Sequence, residues 1–427
     1  MISVDFSYLY QIYKFNKRHS VSSEEVEQYR THFNKYYNRL KSRQQGFLDL
    51  GNQPKTLRVI QDFVEKHKNK FSYFVILGIG GSMLGPKTIV EALANEIQKS
   101  KVICLDNIDP YLINQTLTKI DLAKTLFLVQ TKSGGTPETI AQYVFFKNKV
   151  EQQGLTWQNH FVFVTDPKIG WLRQIANEEN ITTFEIPENV GGRFSVLTPV
   201  GLLISNLIDL DIAKMLDGAN LVVQNQLQDA FDVAVSSFLL NQRGKTNLVI
   251  MPYNSRLKTF TEWCVQLVSE STGKQFDLDN QEVFAGLTPI PALGATDQHS
   301  QLQLFKEGPN DKQFIFIKTT DYLVTLDIPS EELALNNSLN YLVNQSFNSL
   351  IQAEFEGTRQ SLTESLRPSI TLTIHQTDES SLGALFMFFE LYTAFLGEML
   401  NINTFDQPGV ERSKVLTKEI LSKSKNF

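Results

Sequence analysis

The sequence predicts an α/β protein with two domains, each built on a parallel sheet that helices cover on both faces. Two observations carry this prediction. Short apolar, β-branched segments alternate with helical segments of ten or more residues, which is the spacing of βαβ units. The alternation occurs once in each half of the chain, and 427 residues are enough for two or three domains.

The first series of elements follows a polar, aromatic segment, residues 1–53, which we interpret as a helical amino-terminal arm. Within this arm, Ser22 and Glu25 have the spacing of a capping box. The elements expected next are helix Leu57–Lys68, strand Phe71–Leu77, a helix ending near Ile97, strand Val102–Leu105, strand Thr125–Thr131, helix Pro137–Gln152, strand His160–Thr165 and strand Thr182–Ile186. Residues 54–205 are therefore the first predicted domain.

The second series repeats the pattern over residues 206–381, the second predicted domain. Its elements, after helix Leu197–Leu210, are helix Leu227–Asn241, strand Asn247–Pro252, helix Leu257–Ser271, strand Gln313–Ile317 and strand Ser369–Ile374. Residues 275–312 lack periodicity and are rich in Gly, Pro, Asp and Gln, so we predict a long functional loop there. Residues 382–427 are predicted to form two closing helices separated by Asn401–Pro408.

Net charge, cysteine content and hydropathy indicate which classes of protein are disfavoured. The net charge of −6 gives no reason to expect binding to nucleic acid or to an anionic membrane. Cys104 and Cys264 lie far apart in apolar surroundings, as free thiols of a reducing compartment do. No signal peptide is visible, and the most apolar helix, Leu382–Leu400, is short for a membrane span and carries two glutamates. We expect a cytoplasmic protein.

A possible anion site follows the strand Thr125–Thr131. Lys132, Ser133, two glycines, Thr136 and Pro137 come next, with Thr136 at the N-cap position and Pro137 first in the helix. Free backbone N–H groups, the helix dipole and the Lys132 charge would together favour an anion. An ordinary strand-to-helix turn is the alternative.

A second glycine-rich turn, Gly78-Ile-Gly-Gly-Ser82, follows the preceding strand. Met83 breaks the dinucleotide-binding fingerprint, and no Gly-Lys-Ser/Thr follows as in a Walker loop. A nucleotide-dependent dehydrogenase is thus disfavoured. On this pattern alone the turn is equally well structural or a ligand loop that presents Gly81 and Ser82.

Each of the other candidate polar residues has two interpretations, an ordinary structural role and a catalytic or binding role. Arg193 follows two glycines and precedes an apolar helix, either as a fixed cation or as a surface arginine. Gln266 and Glu270 share one helical face, where Glu270 is a candidate general base or a solvated helix end. His299 has polar neighbours that could fix its tautomer, although a surface histidine is the commoner case. The remaining candidates, Gln407 and Lys414 at the start of the last helix, equally suit a capped surface helix.

The order of these segments resembles the glucose-6-phosphate isomerase (phosphoglucose isomerase) family. Two segments resemble the family's signatures, Val190–Gly201 and Phe405–Lys414. Four further landmarks occur in the family's order: the turn at 78–82, the loop at 131–139, Glu270–Lys274 and Gln298-His299. The resemblance extends from about residue 54 to about residue 415.

The resemblance implies a fold, an assembly and a reaction. It implies two sugar-isomerase (SIS-type) domains, closing helices that complete the active site, a homodimer and neither metal nor organic cofactor. It implies interconversion of glucose 6-phosphate and fructose 6-phosphate through ring opening and a cis-enediol(ate). The implied catalytic residues are Glu270 as base, Arg193 for the negative charge, and His299 of the partner subunit with Lys414 for ring opening. The implied binding residues are Thr131, Lys132, Ser133 and Thr136 for the phosphate, Gly81 and Ser82 for the sugar, and Gln266 and Gln407 for hydroxyls or phosphate.

Two rival functions remain at this stage, and one further contact is expected. A SIS-type sugar-phosphate sensor would need the phosphate site but not Glu270, His299 and Lys414 together. An isomerase of another hexose phosphate is poorly distinguished by sequence, because epimers differ only in one hydroxyl. We also expect Glu138, in the first turn after the loop, to pair with Lys132 or Lys414 and balance charge near the phosphate.

Overall fold

The computed structural model describes residues 1–333 and 337–424. Strands and helices up to the middle of the chain are β1 (Ser3–Asp5), α1 (Ser7–Phe15), α2 (Ser23–Arg30), α3 (Phe33–Ser42), α4 (Pro54–His67), β2 (Tyr73–Leu77), α5 (Leu84–Leu93), α6 (Glu96–Ser100), β3 (Val102–Leu105), α7 (Pro110–Lys119), β4 (Thr125–Thr131), α8 (Pro137–Gln152), β5 (Phe161–Thr165), α9 (Trp171–Glu179), β6 (Thr183–Glu185) and α10 (Pro199–Leu207). The rest are α11 (Ile212–Asn225), α12 (Leu227–Gln242), β7 (Asn247–Pro252), α13 (Lys258–Thr272), β8 (Lys274–Phe276), β9 (Glu282–Ala285), β10 (Thr288–Pro291), α14 (Leu302–Glu307), β11 (Lys312–Thr319), α15 (Phe347–Glu364), β12 (Ser369–Ile374), α16 (Glu379–Met399) and α17 (Glu411–Ser424). The predicted α/β fold with two helix-covered sheets is confirmed.

The first sheet is parallel throughout and has the order β3-β2-β4-β5-β6. Every residue of its central strand, β4, is buried. Leu126 and Leu128 face one hydrophobic cluster, whereas Phe127 and Val129 face another. Helices therefore cover both faces, and the carboxyl ends of β2 and β4 lie side by side at one edge of the sheet.

The second sheet has the order β1-β12-β11-β7-β10. Its four strands from the second half of the chain are parallel, and β1 from the arm pairs with β12 in the antiparallel direction. Strand β1 has three residues, too few to give a periodic signal in the sequence. It attaches the beginning of the chain to the second sheet.

The prediction of an irregular loop over residues 275–312 is wrong. This stretch contains β9, β10 and α14, and β8 ends within it. Pro289 and Pro291 fit in β10 because this strand lies at the edge of the sheet, where one side of the strand needs no N–H donors. The ribbon β8–β9 has a register shift, which explains the missing alternation.

Two helical predictions also need adjustment. The helix expected to end near Ile97 is two helices, because the chain extends at Ala94 and Asn95 caps α6. The helix expected over Leu197–Leu210 is the shorter α10, and no prediction was made for α11 or α15. The capping box of Ser22 and Glu25 is confirmed, with both reciprocal hydrogen bonds formed.

Helix α16 is the central element of the core. All its residues from Leu382 to Met399 are buried, and it packs against α11 and α12. A Cβ on Gly383 would lie 1.9 Å from the carbonyl oxygen of Met215, so this glycine permits direct backbone contact with α11. Among the described helices, α16 alone is long and apolar enough to cross a membrane, and 89% of its apolar window is buried inside the protein.

The arm holds the carboxyl end of α16. Arg39 of α3 and Arg43, the residue that follows this helix, form ion pairs with the buried Glu398 at N–O distances of 3.1 and 2.8 Å. The chain then turns away, and α17 extends from this point with residues 411–423 exposed. The end of the predicted closing helix, residues 425–427, lies outside the described residues.

Candidate active site

Four distant segments meet at the carboxyl end of α13. They are the turn Gly80–Ser82 after β2, the turn Gly192–Phe194, the last turn of α13 and the stretch from Thr404 to Gln407. A Cβ on Gly81 would lie 2.4 Å from the carbonyl group of Gly192, so only a glycine allows these two turns to touch. The sequence motifs around residues 80 and 193 thus belong to one site.

Arg193 is the centre of this cluster and is buried. Its guanidinium donates to the Ser271 hydroxyl at 2.8 Å and to the Gln407 side-chain oxygen at 2.9 Å. It also donates to the main-chain oxygens of Thr404 and Asp406. Burial lowers the pKa of Arg193, although the carboxylates of Glu270 and Asp406 oppose that shift. The five donors of one arginine therefore hold the C-terminal segment against α13.

Glu270 lies on the last turn of α13 with about a third of its side chain exposed. Its Oε2 is 3.4 Å from Nη1 of Arg193, and its Oε1 accepts a hydrogen bond from Gln266 at 3.1 Å. Gln266 in turn lies against Gly80, where a Cβ would come within 2.9 Å of its amide nitrogen. The carboxylate is fixed from both sides and still reaches solvent.

Aromatic packing supports the cluster from behind. Phe194, next to Arg193, lies with its ring centre 5.0 Å from that of Phe47 in the arm. Phe405, beside Thr404, is 5.3 Å from Phe194. The arm therefore positions both the arginine turn and the C-terminal segment, a role that was not predicted from its sequence.

The loop after β4 presents three hydroxyl groups together. Thr131 Oγ1 lies 2.6 Å from Thr136 Oγ1, and Ser133 Oγ lies 3.3 Å from both. Thr136 occupies the predicted N-cap position of α8, yet its side chain accepts no hydrogen bond from the first turn of that helix. The three hydroxyls therefore lie together beside the uncapped start of α8, an arrangement that can bind an anion.

Lys132 points away from these hydroxyls. Its ammonium donates to Asp166 at 2.9 Å and to the main-chain oxygens of Ile186 and Pro187. Burial raises the pKa of Asp166, but the hydrogen bonds from Lys132 and from the N–H groups of Lys168 and Ile169 outweigh it and lower the pKa overall. In this structure Lys132 fixes the base of the loop, and direct contact with a phosphate stays a prediction.

His299 and Lys414 are not brought to Glu270 within one chain. Both are exposed, and Lys414 pairs with Glu411 of its own helix at 2.7 Å. The pairing predicted for Glu138 is wrong, because its two candidate lysines bond to Asp166 and Glu411 instead. The positions of charged residues in the sequence do not reveal which carboxylate lies closest to a given lysine in the folded chain.

Four residues of the site were missed by the sequence interpretation: Asp166, Ser271, Lys274 and Asp406. Lys274 and Ser271 lie in the landmark that begins with Glu270, so their position in it was the available signal. Asp406 acts mainly through its carbonyl oxygen, which no side-chain pattern can reveal. Within the described ranges, no group of three or more His, Cys, Asp or Glu side chains is placed to hold a metal ion.

Comparisons with known proteins show which sequences and folds this chain resembles. The family model described as phosphoglucose isomerase matches residues 61–427. A glucose-6-phosphate isomerase of Carboxydothermus hydrogenoformans is 37% identical over 99% of this chain and 95% of its own length. The crystal structure of a hypothetical protein from Thermus thermophilus superposes with a TM-score of 0.87 at 34% identity, covering 99% of this chain and 100% of that one. A glucose-6-phosphate isomerase structure from Chlamydia trachomatis gives a TM-score of 0.75 at 26% identity, covering 87% of this chain and 74% of that one.

Proposed function

The chain belongs to the phosphoglucose isomerase family, and we propose that it uses the cluster around Glu270 and Arg193 to interconvert glucose 6-phosphate and fructose 6-phosphate. The reaction moves hydrogen between C1 and C2 of an opened sugar. It needs one base that reaches both carbons and one cation for the charge that develops on oxygen. The 3.4 Å approach of the Glu270 carboxylate to the Arg193 guanidinium is the observation that carries the proposal.

The phosphate of the substrate is assigned to the loop after β4. Thr131, Ser133 and Thr136 supply hydroxyl donors, and the helix dipole of α8 favours the negative charge. Lys132 contributes positive charge and holds the loop through Asp166. Because β2 and β4 are neighbouring strands, a phosphate bound here leaves the sugar beside Gly81 and Ser82. Remote binding of this kind fixes the reacting carbons without joining the reaction.

Glu270 then acts as the base. It removes the proton from C2 of the open aldose, giving a cis-enediolate, and returns a proton to C1 to form the ketose. Arg193 offsets the charge on the enediolate oxygens from a fixed, buried position, so little reorganisation is needed during the reaction. Gln266 and Gln407 hold Glu270 and Arg193 respectively and are placed to orient the sugar hydroxyls.

Ring opening is assigned to His299 and Lys414, with His299 supplied by a second copy of the chain. A proton must reach O5 while another leaves O1, which an imidazole and an ammonium together can manage. Both side chains are exposed in one chain and lie outside the hydrogen-bonded cluster. A symmetric homodimer that covers α17 would bring them to Glu270.

The surface of α17 supports this assembly. Val415, Leu416 and Ile420 are exposed, and Leu416 and Ile420 are one turn apart on the same face. Gln298, next to His299, lines a wide groove of about 610 Å³ between α14 and α15. An apolar helix face left in water and a groove beside a proposed active-site residue are features of an interface.

A cytoplasmic location also belongs to this proposal. Both cysteines are free thiols, and burial raises the pKa of Cys264 well above its ordinary value. Free thiols persist in reducing compartments. The substrate, a sugar phosphate, is an intracellular class of metabolite, and glycolysis or gluconeogenesis would use its interconversion.

The activity is tested by offering glucose 6-phosphate, fructose 6-phosphate and mannose 6-phosphate separately to the purified chain in heavy water. We expect glucose and fructose 6-phosphates to interconvert and deuterium to enter at the carbon that receives the proton. Conversion of mannose 6-phosphate alone would assign a different substrate. Absence of turnover with all three would overturn the proposal.

The shared active site is tested by mixing two inactive variants, Glu270→Gln and His299→Ala, after dissociation and reassociation. If His299 serves the partner, each mixed dimer contains one intact site, and about a quarter of the wild-type activity returns at equal mixing. A mixture as inactive as its components would place both residues in one subunit's site or show that no exchange occurred. Differently tagged chains, recovered together, measure the exchange directly.

A further inference from the structure

A buried lysine that the reaction above does not use lies beside the Glu270–Arg193 pair. Lys274 is the first residue of β8, immediately after the Gly273 that ends α13, and its side chain is only 5% exposed. Lysine side chains are almost never buried unless they are paired. Its partners therefore indicate what it does.

We propose that Lys274 is a positioning residue, which ties the helix end that carries Glu270 to the C-terminal segment that carries Gln407. Its ammonium donates to the main-chain oxygen of Glu270 at 2.6 Å and to that of Asp406 at 3.0 Å. The Asp406 carboxylate lies 3.7 Å away. The inference rests on the proposed function, since it assigns Glu270 and Gln407 to the same site.

The carbonyl of Asp406 joins the two cations of the cluster. It accepts from Lys274 and also from Arg193 at 3.1 Å. Arg193 holds the Glu270 carboxylate, and Lys274 holds the Glu270 backbone. The base is thus fixed at both ends of its residue, and both fixing groups are anchored to one point of the C-terminal segment.

The surroundings of Lys274 disfavour its protonated, charged form. The pKa of Lys274 is lowered to about 8, with burial as the largest cause; the nearby Arg193 charge acts in the same direction, and the carboxylates of Asp406 and Glu270 partly compensate. Protonated lysine makes charge-assisted hydrogen bonds, which are roughly twice as strong as those of a neutral amine. The proposal therefore predicts that the hydrogen bonds from Lys274 to Glu270 and Asp406 weaken as the pH rises through about 8.

Raising the pH should weaken these hydrogen bonds but increase the free energy of unfolding. The folded-state pKa of about 8 lies below the ordinary lysine value of 10.5, so between these values the unfolded chain binds more protons. The free energy of unfolding due to this group consequently increases over that pH range. The buried charge of Lys274 lowers the stability of the protein at neutral pH. Such a cost is expected at a position where the charge contributes to activity.

Lys245 provides a matched control. It is fully buried, burial lowers its pKa to about 8, and its ammonium donates to the main-chain oxygen of Asn310 at 2.7 Å. It precedes β7 and lies near the start of β11, at the amino-terminal edge of the second sheet, and it has no contact with the cluster around Arg193 in the described part of the chain. Lys245→Met removes the same buried charge at a site that the reaction does not use.

The experiment compares Lys274→Met with Lys245→Met over about pH 6 to 10, using fructose 6-phosphate isomerisation and thermal unfolding. We expect kcat of Lys274→Met to fall about 10- to 100-fold, as for a misplaced catalytic group. The wild type and Lys245→Met should share a decline of kcat above about pH 8 that Lys274→Met lacks. Each variant should lose its own part of the gain in stability between pH 8 and 10.5.

Equal kcat and an unchanged pH profile for Lys274→Met would overturn the inference while leaving the proposed function intact. If Lys274→Met does not fold, Lys274→Arg decides, because its guanidinium stays protonated and should move the decline in kcat to higher pH. An unmoved decline in Lys274→Arg would also overturn the inference. Failure of the wild type to isomerise the sugar would instead refute the proposed function.

Discussion

The residues assigned to proton transfer and those assigned to ring opening differ in how one chain holds them. Glu270, Arg193 and Gln266 form a hydrogen-bonded cluster that is supported by the arm and the C-terminal segment. His299 and Lys414 are exposed, and the latter bonds only to Glu411 of its own helix among the described residues. One chain therefore brings the proposed base and its cation together, whereas the proposed ring-opening pair lies outside their hydrogen-bonded cluster.

This difference is consistent with the demands of the two steps. Abstraction of a weakly acidic C–H proton needs a base and a cation held rigidly, because small displacements are costly. Proton exchange at O1 and O5 involves oxygen atoms, which transfer protons readily, so looser positioning is tolerable.

Replacing Glu270 by glutamine should nearly abolish turnover. The amide keeps the size of the side chain and can still meet Gln266 and Arg193, but it cannot accept a proton from carbon, so kcat should fall about 10²- to 10⁴-fold. Steady-state rates with fructose 6-phosphate measure this loss, and unfolding curves check that stability is kept. Near-normal turnover of Glu270→Gln would move the base elsewhere.

Replacing Arg193 by lysine should lower kcat about 10²- to 10³-fold, because a point charge cannot make the forked contacts to Ser271, Gln407 and the main chain. Arg367→Lys is the matched control. Arg367 is also buried and also donates to main-chain oxygens, those of Lys306 and Gly308. If both lysine variants lost the same activity, the loss would reflect folding rather than the site.

Replacing His299 by alanine should slow the reaction of cyclic sugars by roughly 10²-fold and spare substrates that cannot close a ring. A four-carbon aldose phosphate serves as the open-chain substrate, and the ratio of the two kcat/KM values is the measurement. Glu270→Gln should impair both substrates alike. Equal losses for His299→Ala on both would contradict the division between the two pairs.

Replacing Ser133 by alanine should have the smallest effect. One of three hydroxyls in the phosphate loop is lost, and a hydrogen bond to a charged group accounts for roughly a tenfold rise in KM. The value of kcat should stay near that of the wild type, because the phosphate does not react. Inorganic phosphate, as a competitive inhibitor, should weaken in parallel with the substrate.

The sequence predicted most of the first sheet, since its strands are short, apolar and bounded by turns. Strand Thr125–Thr131 and helix Pro137–Gln152 have the predicted bounds. The weaker predictions fell where tertiary contacts define the structure. Strand β1 exists only because β12 offers an edge, and β10 tolerates its prolines only because it lies at the other edge.

The order of motifs was enough to identify the family and the reaction it implies, because turn glycines, helix starts and reactive side chains are local features that a sequence displays. Which of those side chains meet depends on how the whole chain folds. The fold joins Arg193 to Glu270 across 77 positions and to Gln407 across 214. It also turns Lys132 toward Asp166 and places the Lys274 ammonium against the main-chain oxygen of Glu270. Partners of this kind are selected by distance and burial, which depend on the packing of the whole chain rather than on any one segment.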